Sequence, residues 1–468
     1  MLSLCLLLTT SWALDLTLDQ ALELALGANL ELQQAALDLE RAEQQLVLAR
    51  GGYDPLLTAG LDWSRDVSPS NEADENDVVS ATGTGWSVGL QQDLPGGGAA
   101  SLNWRESRSE SDSAQTKDDV STSTWAGVTV SQPLLAGAGP SAWSDLTRAR
   151  LGLNRQRLSW RRAQEDLIVD TAQAYWDLVS SVQGLELARR SVQIAQTQLE
   201  HTQERLAEGF AGSGDVLQVQ RALGVAQQAE VVAQADVATD RSRLARLLGV
   251  DLGRAAELAA VERPLVPDAD PDLSASLALA RDRNVPWLRA ELRALEARLD
   301  RQVAVNGALP DLDVVGSVGF SGTAPSAGDA RGQVTGVLYP SWAVGVDLSV
   351  PLPARSPRAT ASRARLAEES ALLGLEAAEQ DLVLRVESAV RAVRRDRSRV
   401  VLTEQTVQAA RAALAADQEL LQEGQGSTRD AIRSLENLDA AQLERLRAQI
   451  DLQTSLLELR RIEGSLVD

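Results

Sequence analysis

The residue types that most often carry chemistry in proteins are nearly absent from this chain. Its 468 residues include one histidine, His201, and one cysteine, Cys5. A His/Cys metal site, a histidine-based triad and a cysteine nucleophile with a histidine partner are therefore excluded by count. A site built from carboxylates alone is not excluded, because Asp and Glu together number 66. We predict no catalytic residue, no metal site and no cofactor.

Two aspartates stand out by their surroundings. Asp215 and Asp430 follow glycine-containing segments, whose glycines are Gly209, Gly212, Gly214, Gly424 and Gly426. Glycine breaks a helix and suits a tight reversal, so these five glycines are predicted hinges. Aspartate after such a break commonly caps the returning helix. Each carboxylate is therefore predicted either to serve as a helix cap alone or to cap the helix and act on passing ions.

The overall charge restricts the choice of partner. The formal net charge is −21 and the isoelectric point about 4.6. Acidic chains repel phosphate backbones, so nucleic acid is not an expected partner. Apolar residues make up 44% and charged residues 24%, which is typical of a folded chain.

The first residues resemble an export signal. An apolar core runs from Leu2 to Leu8, and Ser11, Trp12 and Ala13 follow in the manner of a cleavage site, although no basic residue precedes the core. We predict a signal peptide over 1–13. No run of 18 apolar residues occurs, so no transmembrane helix is expected. Such an exported chain is soluble, bound to a surface or a membrane β-barrel.

The chain contains an internal duplication. Asn29 corresponds to Asn284 at an offset of 255 residues, and Asp215 corresponds to Asp430 at an offset of 215. The difference of 40 residues is an insertion in the first repeat. Repeats of this kind determine the order of structural elements in the whole chain. We predict a first repeat over 14–250 and a second over 251–468.

Both repeats predict the same order of elements. Leu and Ala at helical spacing indicate helices over 17–50 and 272–306. Segments dense in Ala, Leu, Arg, Glu and Gln then predict long helices that reverse at the glycine turns. These helical hairpins span 143–248 and 359–463 and are separated from the first helices by predicted strands. The same helical pattern is also found in a solenoid or a free coiled coil.

The segments between the helices alternate between apolar and polar residues. These β segments lie within 56–132 and 311–350, and each is about ten residues long, enough to cross a bilayer when tilted. Tryptophans are enriched at membrane interfaces. We assign that position to Trp63, Trp86, Trp104 and Trp342. A half-buried antiparallel sheet would alternate in the same way.

A membrane location would require several chains. Four to six strands cannot close a membrane barrel, because the smallest such barrels have eight. Each protomer would then contribute a few strands, and the long helices would form a tube that continues from the barrel. The predicted fold is therefore mostly α, with antiparallel strands that form part of a shared β-barrel.

The order of these motifs resembles the TolC family of outer-membrane efflux proteins. The resemblance rests on Leu18-Asp-Gln-Ala-Leu22 with Asn29, on Tyr53-Asp-Pro55, on Ser131-Gln-Pro-Leu-Leu135 and on the two glycine turns, and it covers 15–464. It implies a homotrimer with a β-barrel in the outer membrane of a Gram-negative bacterium and an α-helical barrel in the periplasm. The implied function is the exit duct of a tripartite efflux or type I secretion system. The implied partners are outer-membrane lipid, a periplasmic adaptor protein and an inner-membrane pump or ABC transporter.

The resemblance also implies a periplasmic gate at the hairpin turns. Asp215 and Asp430 fall on the family's turn aspartates, which ring the entrance. This chain departs from the family at Arg433, where a second aspartate occurs, and at Gly426, where an arginine occurs. The ring is then expected either to be weaker than in the family or to use Arg429 or Arg433 as its basic partner.

A second departure is the number of strands. The family contributes two strands per repeat, whereas the first repeat here predicts four, with Pro95-Gly-Gly-Gly98 as the extra hairpin turn. The extra hairpin either joins the barrel, giving six strands per protomer, or lies outside it.

Two other classes of function compete with the channel. A periplasmic coiled-coil adaptor or scaffold would also have long helical hairpins, although duplication on this scale is not typical of adaptors. An exported hydrolase would need clustered carboxylates in the β segments, for which the candidates are Asp62, Asp66, Asp313 and Asp347.

Overall fold

The computed structural model describes residues 14–69, 78–112, 119–209, 212–260, 262, 264, 270–422 and 428–467. The predicted signal peptide over 1–13 lies outside these residues. Helices predominate, and the remaining regular structure is mostly antiparallel strands. No helix in these ranges is both long enough and apolar enough to span a membrane.

The helices repeat in the predicted order. Those of the first repeat are α1 (Leu18–Ala28), α2 (Leu30–Gly51), α3 (Ser144–Ala207) and α4 (Ser213–Leu247). Those of the second are α5 (Leu273–Arg283), α6 (Val285–Asn306), α7 (Ala327–Thr335), α8 (Arg355–Gln422) and α9 (Thr428–Glu463). With 64 and 68 residues, α3 and α8 are each roughly 100 Å long at 1.5 Å per residue. Helices α3 with α4, and α8 with α9, occupy the ranges of the two predicted hairpins, and among the described residues of the first repeat α7 has no counterpart.

The first helix of each repeat is broken where the sequence predicted continuity. The break falls at Asn29 and again at Asn284, both of which are 5% exposed. The side chain of Asn29 accepts a hydrogen bond from the Leu32 amide at 3.0 Å and donates one to the Leu247 carbonyl at 3.1 Å. It therefore starts a new helix and holds the end of α4 at the same time, which makes the break more favourable than a continuous helix.

The second repeat reproduces this arrangement. Asn284 accepts from the Trp287 amide at 3.0 Å and donates to the Ile462 carbonyl at 2.8 Å. Gly249 and Gly464 follow the ends of α4 and α9 with φ of 66° and 70°. A Cβ atom at either glycine would lie within 2.6 Å of a backbone carbonyl oxygen at the helix break. Only glycine allows this backbone conformation and this close approach together.

The chain divides into two compact units, and each unit contains parts of both repeats. The first comprises Met1–Leu39, Arg157–Arg289 and Glu376–Asp468, and the second Glu40–Gln156 and Ala290–Leu375. The first unit has two apolar cores, one for each repeat. In one core the Tyr175 hydroxyl donates to the Leu16 carbonyl at 2.8 Å. Leu16 ends strand β1 (Leu14–Leu16), which pairs in parallel with β6 (Leu258–Ala260).

The second unit is built around one six-stranded antiparallel sheet. Its strands are β2 (Leu56–Pro69), β3 (Val78–Asp93), β4 (Ala99–Asp112), β5 (Asp119–Pro133), β7 (Asp311–Ala324) and β8 (Pro340–Ser349), in that spatial order. The extra hairpin, β3 and β4, is therefore inside this sheet, which has six strands in one chain. In a single chain the sheet is open, with β2 and β8 as its edges.

Candidate gate and membrane-facing sheet

The first hairpin turn places Asp215 at the start of the returning helix. Helix α3 ends at Ala207, and Gly209 has φ of 80°, a conformation that favours glycine. Gly212 precedes α4, and its amide donates to the Asp215 carboxylate at 2.9 Å. Gly214 is the second residue of α4 and so belongs to the helix. Asp215 therefore caps the helix, as both of its predicted alternatives require.

The second turn is described only in part. Asp430 is the third residue of α9, the position that Asp215 holds in α4. Asp430 and Arg433 are exposed, and neither forms an ion pair with another described residue. Gly424 and Gly426 lie outside the described residues, and Arg429 belongs to the first turn of α9. A carboxylate in the first turn of a helix is stabilised by the helix dipole.

Ion pairs hold each hairpin together away from its turn. In the first, Arg243 of α4 lies 2.9 Å from Asp177 of α3. In the second, Arg445 of α9 lies 2.9 Å from Glu404 of α8, and near the turn the Ser434 hydroxyl donates to the Asp417 carboxylate. Exposed pairs of this kind contribute little individually, so the hairpins are joined mainly by apolar packing.

Helix α3 also contacts the second repeat. Arg461 of α9 bridges to Asp166 of α3 at 3.1 Å, and Arg190 of α3 lies 3.6 Å from Asp439 of α9. Because these ion pairs join the two repeats, a movement of one hairpin would also displace the other.

A buried acid beside this junction was not found from the sequence. The side chain of Glu165 is fully buried on α3, with Arg161 at 3.5 Å and Arg162 at 4.0 Å. Burial raises the pKa of Glu165 to about 7, and the two arginines oppose the shift. One glutamate among many on a long helix carries no sequence signal that would separate it from its exposed neighbours.

The two faces of the sheet differ in polarity. One face is apolar and exposed, with Leu61 90%, Trp63 75% and Trp342 78% accessible. The opposite face presents Thr, Ser, Gly, Asn and Asp at the alternating positions predicted from the sequence. A large exposed apolar surface on a folded chain indicates contact with lipid or with another protein.

The four tryptophans assigned to an interface share the apolar face. The register pairs Trp86 with Leu61, Trp63 with Thr84, Trp104 with Val88 and Trp342 with Val318, and paired residues point to the same side. The rings of Trp86 and Trp104 stack with their centroids 6.3 Å apart. The structure therefore places the four side chains on one face of the sheet, and their position at a membrane interface stays a prediction.

Helix α7 packs against the same face, and sequence reasoning missed it. Ala330 and Val334 of α7 are buried, and a Cβ atom at Gly322 of β7 would collide with the Ala330 carbonyl. Arg331 of α7 donates to both carboxylate oxygens of Glu106 on β4, at 2.6 and 2.7 Å. The available signal was Ser326 followed three residues later by Asp329, a helix start that the structure confirms.

The carboxylates considered for a hydrolase are not gathered. Asp62 and Asp66 lie on the edge strand β2, whereas Asp313 and Asp347 pair across β7 and β8 at the other edge. Strands β3, β4 and β5 separate the two pairs. Across the described ranges no group of three or more Asp, Glu, His or Cys side chains is arranged to hold a metal ion. The four carboxylates named for the hydrolase alternative therefore do not form one site.

The chain belongs to the outer membrane efflux protein family. The family model "Outer membrane efflux protein" matches residues 97–250 and 275–465, which cover both repeats. This is a family of channel and transport proteins, as the resemblance at the glycine turns and strand entries implied.

Curated relatives and a solved structure agree with this assignment. The outer membrane protein TolC of Vibrio cholerae is 25% identical over 342 residues, which are 73% of this chain and 76% of the relative. TolC of Escherichia coli is 26% identical over 333 residues, which are 70% and 67% of the two chains. The CmeC outer membrane channel of Campylobacter jejuni has a TM-score of 0.69 at 16% identity over 96% of this chain and 85% of that one. The solved structure shows that the fold is shared.

Proposed function

We propose that the chain is the outer-membrane exit duct of a tripartite efflux or type I secretion system. It would conduct substrates passively from a pump assembly to the exterior. The observation that carries the proposal is the open six-stranded sheet with one exposed apolar face. Its membership of an efflux family supports the channel over the periplasmic adaptor or scaffold.

The open sheet supports assembly of three copies. Strands β2 and β8 leave a row of unpaired backbone groups at each edge, and such edges cannot be exposed to hydrocarbon. Pairing β2 of one protomer with β8 of the next in a homotrimer would close a barrel of eighteen strands. The apolar face would contact outer-membrane lipid, and the polar face would line the conduit.

The long hairpins are proposed to form a helical tube through the periplasm. Their turns would meet at its entrance, where three copies of Asp215 and three of Asp430 form an acidic ring. Like charges held close together repel one another and attract cations, so the ring would limit ion flow until the hairpins move apart. Gly209, with its positive φ, is a suitable hinge for that movement. Arg429 and Arg433 are the proposed basic partners of the ring.

Opening of the gate requires a partner that favours the open form. A periplasmic adaptor joined to an inner-membrane pump or ABC transporter would bind the open hairpins more tightly than the closed ones and so supply the free energy. The chain would act in the outer membrane of a Gram-negative bacterium.

The test is planar-bilayer conductance of the purified protein. Replacement of both Asp215 and Asp430 by Asn keeps an acceptor for the helix cap and removes the charge. We expect larger conductance steps and weaker block by divalent cations than in the wild type. The matched control is Glu376→Gln, which removes an exposed charge from α8 away from the turn.

Three results are possible, and each is informative. Equal steps in the wild type and the double variant would keep the channel and reduce both aspartates to helix caps. A change of the same size in Glu376→Gln would assign the effect to overall charge. Failure of folded wild-type protein to form steps would refute the channel itself.

A further inference from the structure

A groove of about 400 Å³ lies between α7 and the first strands of the sheet. Its apolar walls are the side chains of Leu61, Trp63 and Trp86, and Ala327 of α7 lies at its margin. Leu61 and Trp63 are among the most exposed apolar residues of the described chain. The groove is continuous with the apolar face of the sheet, so what covers that face also reaches the groove.

The groove has one acidic side chain, and its charge is already compensated. The Glu106 carboxylate accepts two hydrogen bonds from Arg331 and one from the Trp86 indole at 3.1 Å. The Thr124 hydroxyl donates to it as well, at 3.4 Å. Asp62 is also a lining residue, but its carboxylate lies against Gly85 on the opposite face of the sheet.

The groove also contains a cation that has no such partner. Arg108 follows Glu106 by two residues on β4 and therefore points to the same face. It is exposed and forms no ion pair with another described residue. The register places Arg108 beside Thr84, and Thr84 beside Trp63, in one row across the strands. The Arg108 guanidinium, with no ion pair to another described residue, therefore shares this row with the exposed Trp63 indole, and Thr84 lies between them.

The position of this row along the strands indicates which part of a membrane it would meet. Arg108 lies toward Asp112 on β4, and Trp63 lies near the middle of β2. The Pro69 and Asp112 ends of these strands are opposite to the end of the sheet at which β2 follows α2 and β5 leads to α3. Arginine is well suited to phosphate, because its planar fork donates two parallel hydrogen bonds. Tryptophan is enriched where lipid head groups meet the hydrocarbon.

We propose that this groove is a binding site for a phosphate-bearing lipid of the outer leaflet. An acyl chain would lie along Leu61, Trp63 and Trp86, and the phosphate would pair with Arg108. Glu106 would not repel the phosphate, because Arg331 neutralises it. The inference rests on the proposed function, since it takes the apolar face to be the lipid-facing one.

The test is native mass spectrometry of the full chain in detergent, titrated with bisphosphorylated lipid A. Wild type is compared with Arg108→Gln, with Arg108→Lys and with Arg105→Gln. Arg105 is a matched control, because it is an exposed arginine of β4 at an alternate position, on the opposite face. Loss of a hydrogen bond between charged groups should weaken binding by Arg108→Gln about tenfold or more. Arg108→Lys should recover part of the affinity, and Arg105→Gln should bind as the wild type does.

Two further arms separate the phosphate from the acyl chain. Dephosphorylated lipid A should bind more weakly and should not distinguish Arg108→Gln from the wild type. Trp63→Ala should weaken the binding of both lipids. Inorganic phosphate at the same concentration should not displace the lipid, because it has no acyl chain to occupy the apolar walls.

The result that would overturn the site is equal lipid binding by Arg108→Gln and Arg105→Gln. A loss in Arg108→Gln that is just as large with dephosphorylated lipid would also overturn it. Conductance in planar bilayers is a separate readout, and a protein that forms channels without this lipid preference would refute the site alone. A protein that forms no channels would refute the proposed function instead.

Discussion

Replacement of Asn29 by Ala tests the idea that one asparagine joins the broken helix to the end of the hairpin. The variant loses the hydrogen bond donated to the Leu247 carbonyl and the one accepted from the Leu32 amide. Because Asn29 is 5% exposed, water cannot easily replace either bond. The two orphaned backbone groups belong to α2 and α4, so both helices should loosen together.

The size of the effect follows from the burial of these groups. A buried donor or acceptor left without its partner costs about 1–3 kcal/mol, so two such groups should cost roughly 2–5 kcal/mol. Asn29→Ser keeps an oxygen that can accept from the Leu32 amide but cannot reach the Leu247 carbonyl. We therefore expect Asn29→Ser to lose about half as much stability as Asn29→Ala.

The assay is amide hydrogen exchange with mass spectrometry on the detergent-purified chain. A loss of about 2 kcal/mol corresponds to roughly 30-fold faster exchange at the Leu32 amide when opening is local. Asn284→Ala should produce the same change at the Trp287 amide, because the second repeat has the same two bonds. Asn437→Ala is the control, since this asparagine is exposed on α9.

If Asn29→Ala exchanges no faster than Asn437→Ala at the start of α2, the asparagine does not hold the junction. A change confined to the Leu32 amide, with none at the end of α4, would leave only the helix cap.

Three further predictions concern other parts of the fold. Gly464→Ala should destabilise the chain by more than about 1 kcal/mol, because φ is 70° and the new Cβ would meet a carbonyl oxygen at 2.5 Å. Gly374 lies on α8 with open space around it, so Gly374→Ala should stabilise the chain by about 0.5–1 kcal/mol. The free energy of unfolding should fall as the pH rises from 4.5 towards 7, because the raised pKa of Glu165 favours the protonated folded form, and Glu165→Gln should flatten this dependence. Arg331→Gln should lower the melting temperature, because it leaves the Glu106 carboxylate without its main partner, and adding Glu106→Gln should restore part of the loss.

Each of these predictions has an outcome that contradicts it. The same stability in the Gly464→Ala and Gly374→Ala variants would mean that the helix break has room for a methyl group. An unchanged pH profile in Glu165→Gln, measured beside Glu376→Gln, would assign the pH dependence to other groups. A double variant no more stable than Arg331→Gln would show that Glu106 is not the group left unpaired.

The duplication was visible in the sequence, and so were most elements. The offset that relates Asn29 to Asn284 predicted matching helices, but it did not predict that they break there. Leu and Ala continue at helical spacing on both sides of each asparagine, so the local pattern favours one helix. The break depends on the carbonyl of Leu247, which lies 218 residues away in the sequence. The spacing of apolar residues along a helix cannot predict a hydrogen bond to a residue that far away in the sequence.

The small helix α7 is a second feature that the sequence did not predict, for a different reason. Its nine residues contain two glycines and have no long apolar repeat, so the sequence gives it a weak helical signal. Its position depends on Gly322 and on the pairing of Arg331 with Glu106, 225 residues apart. By contrast, Asp215 was predicted as a helix cap from its neighbours alone, because a cap is a local interaction.

The position of the extra hairpin bears on how conduits of this kind can change size. Because β3 and β4 run in opposite directions, β5 runs antiparallel to β2 whether or not the hairpin is present. If β3 and β4 were lost, β2 would pair with β5, and every later strand and helix would keep its direction. A single gene insertion would thus enlarge a threefold pore by six strands at once, while the helical hairpins kept their connections. In the proposed trimer, the number of barrel strands would therefore change independently of the helical hairpins.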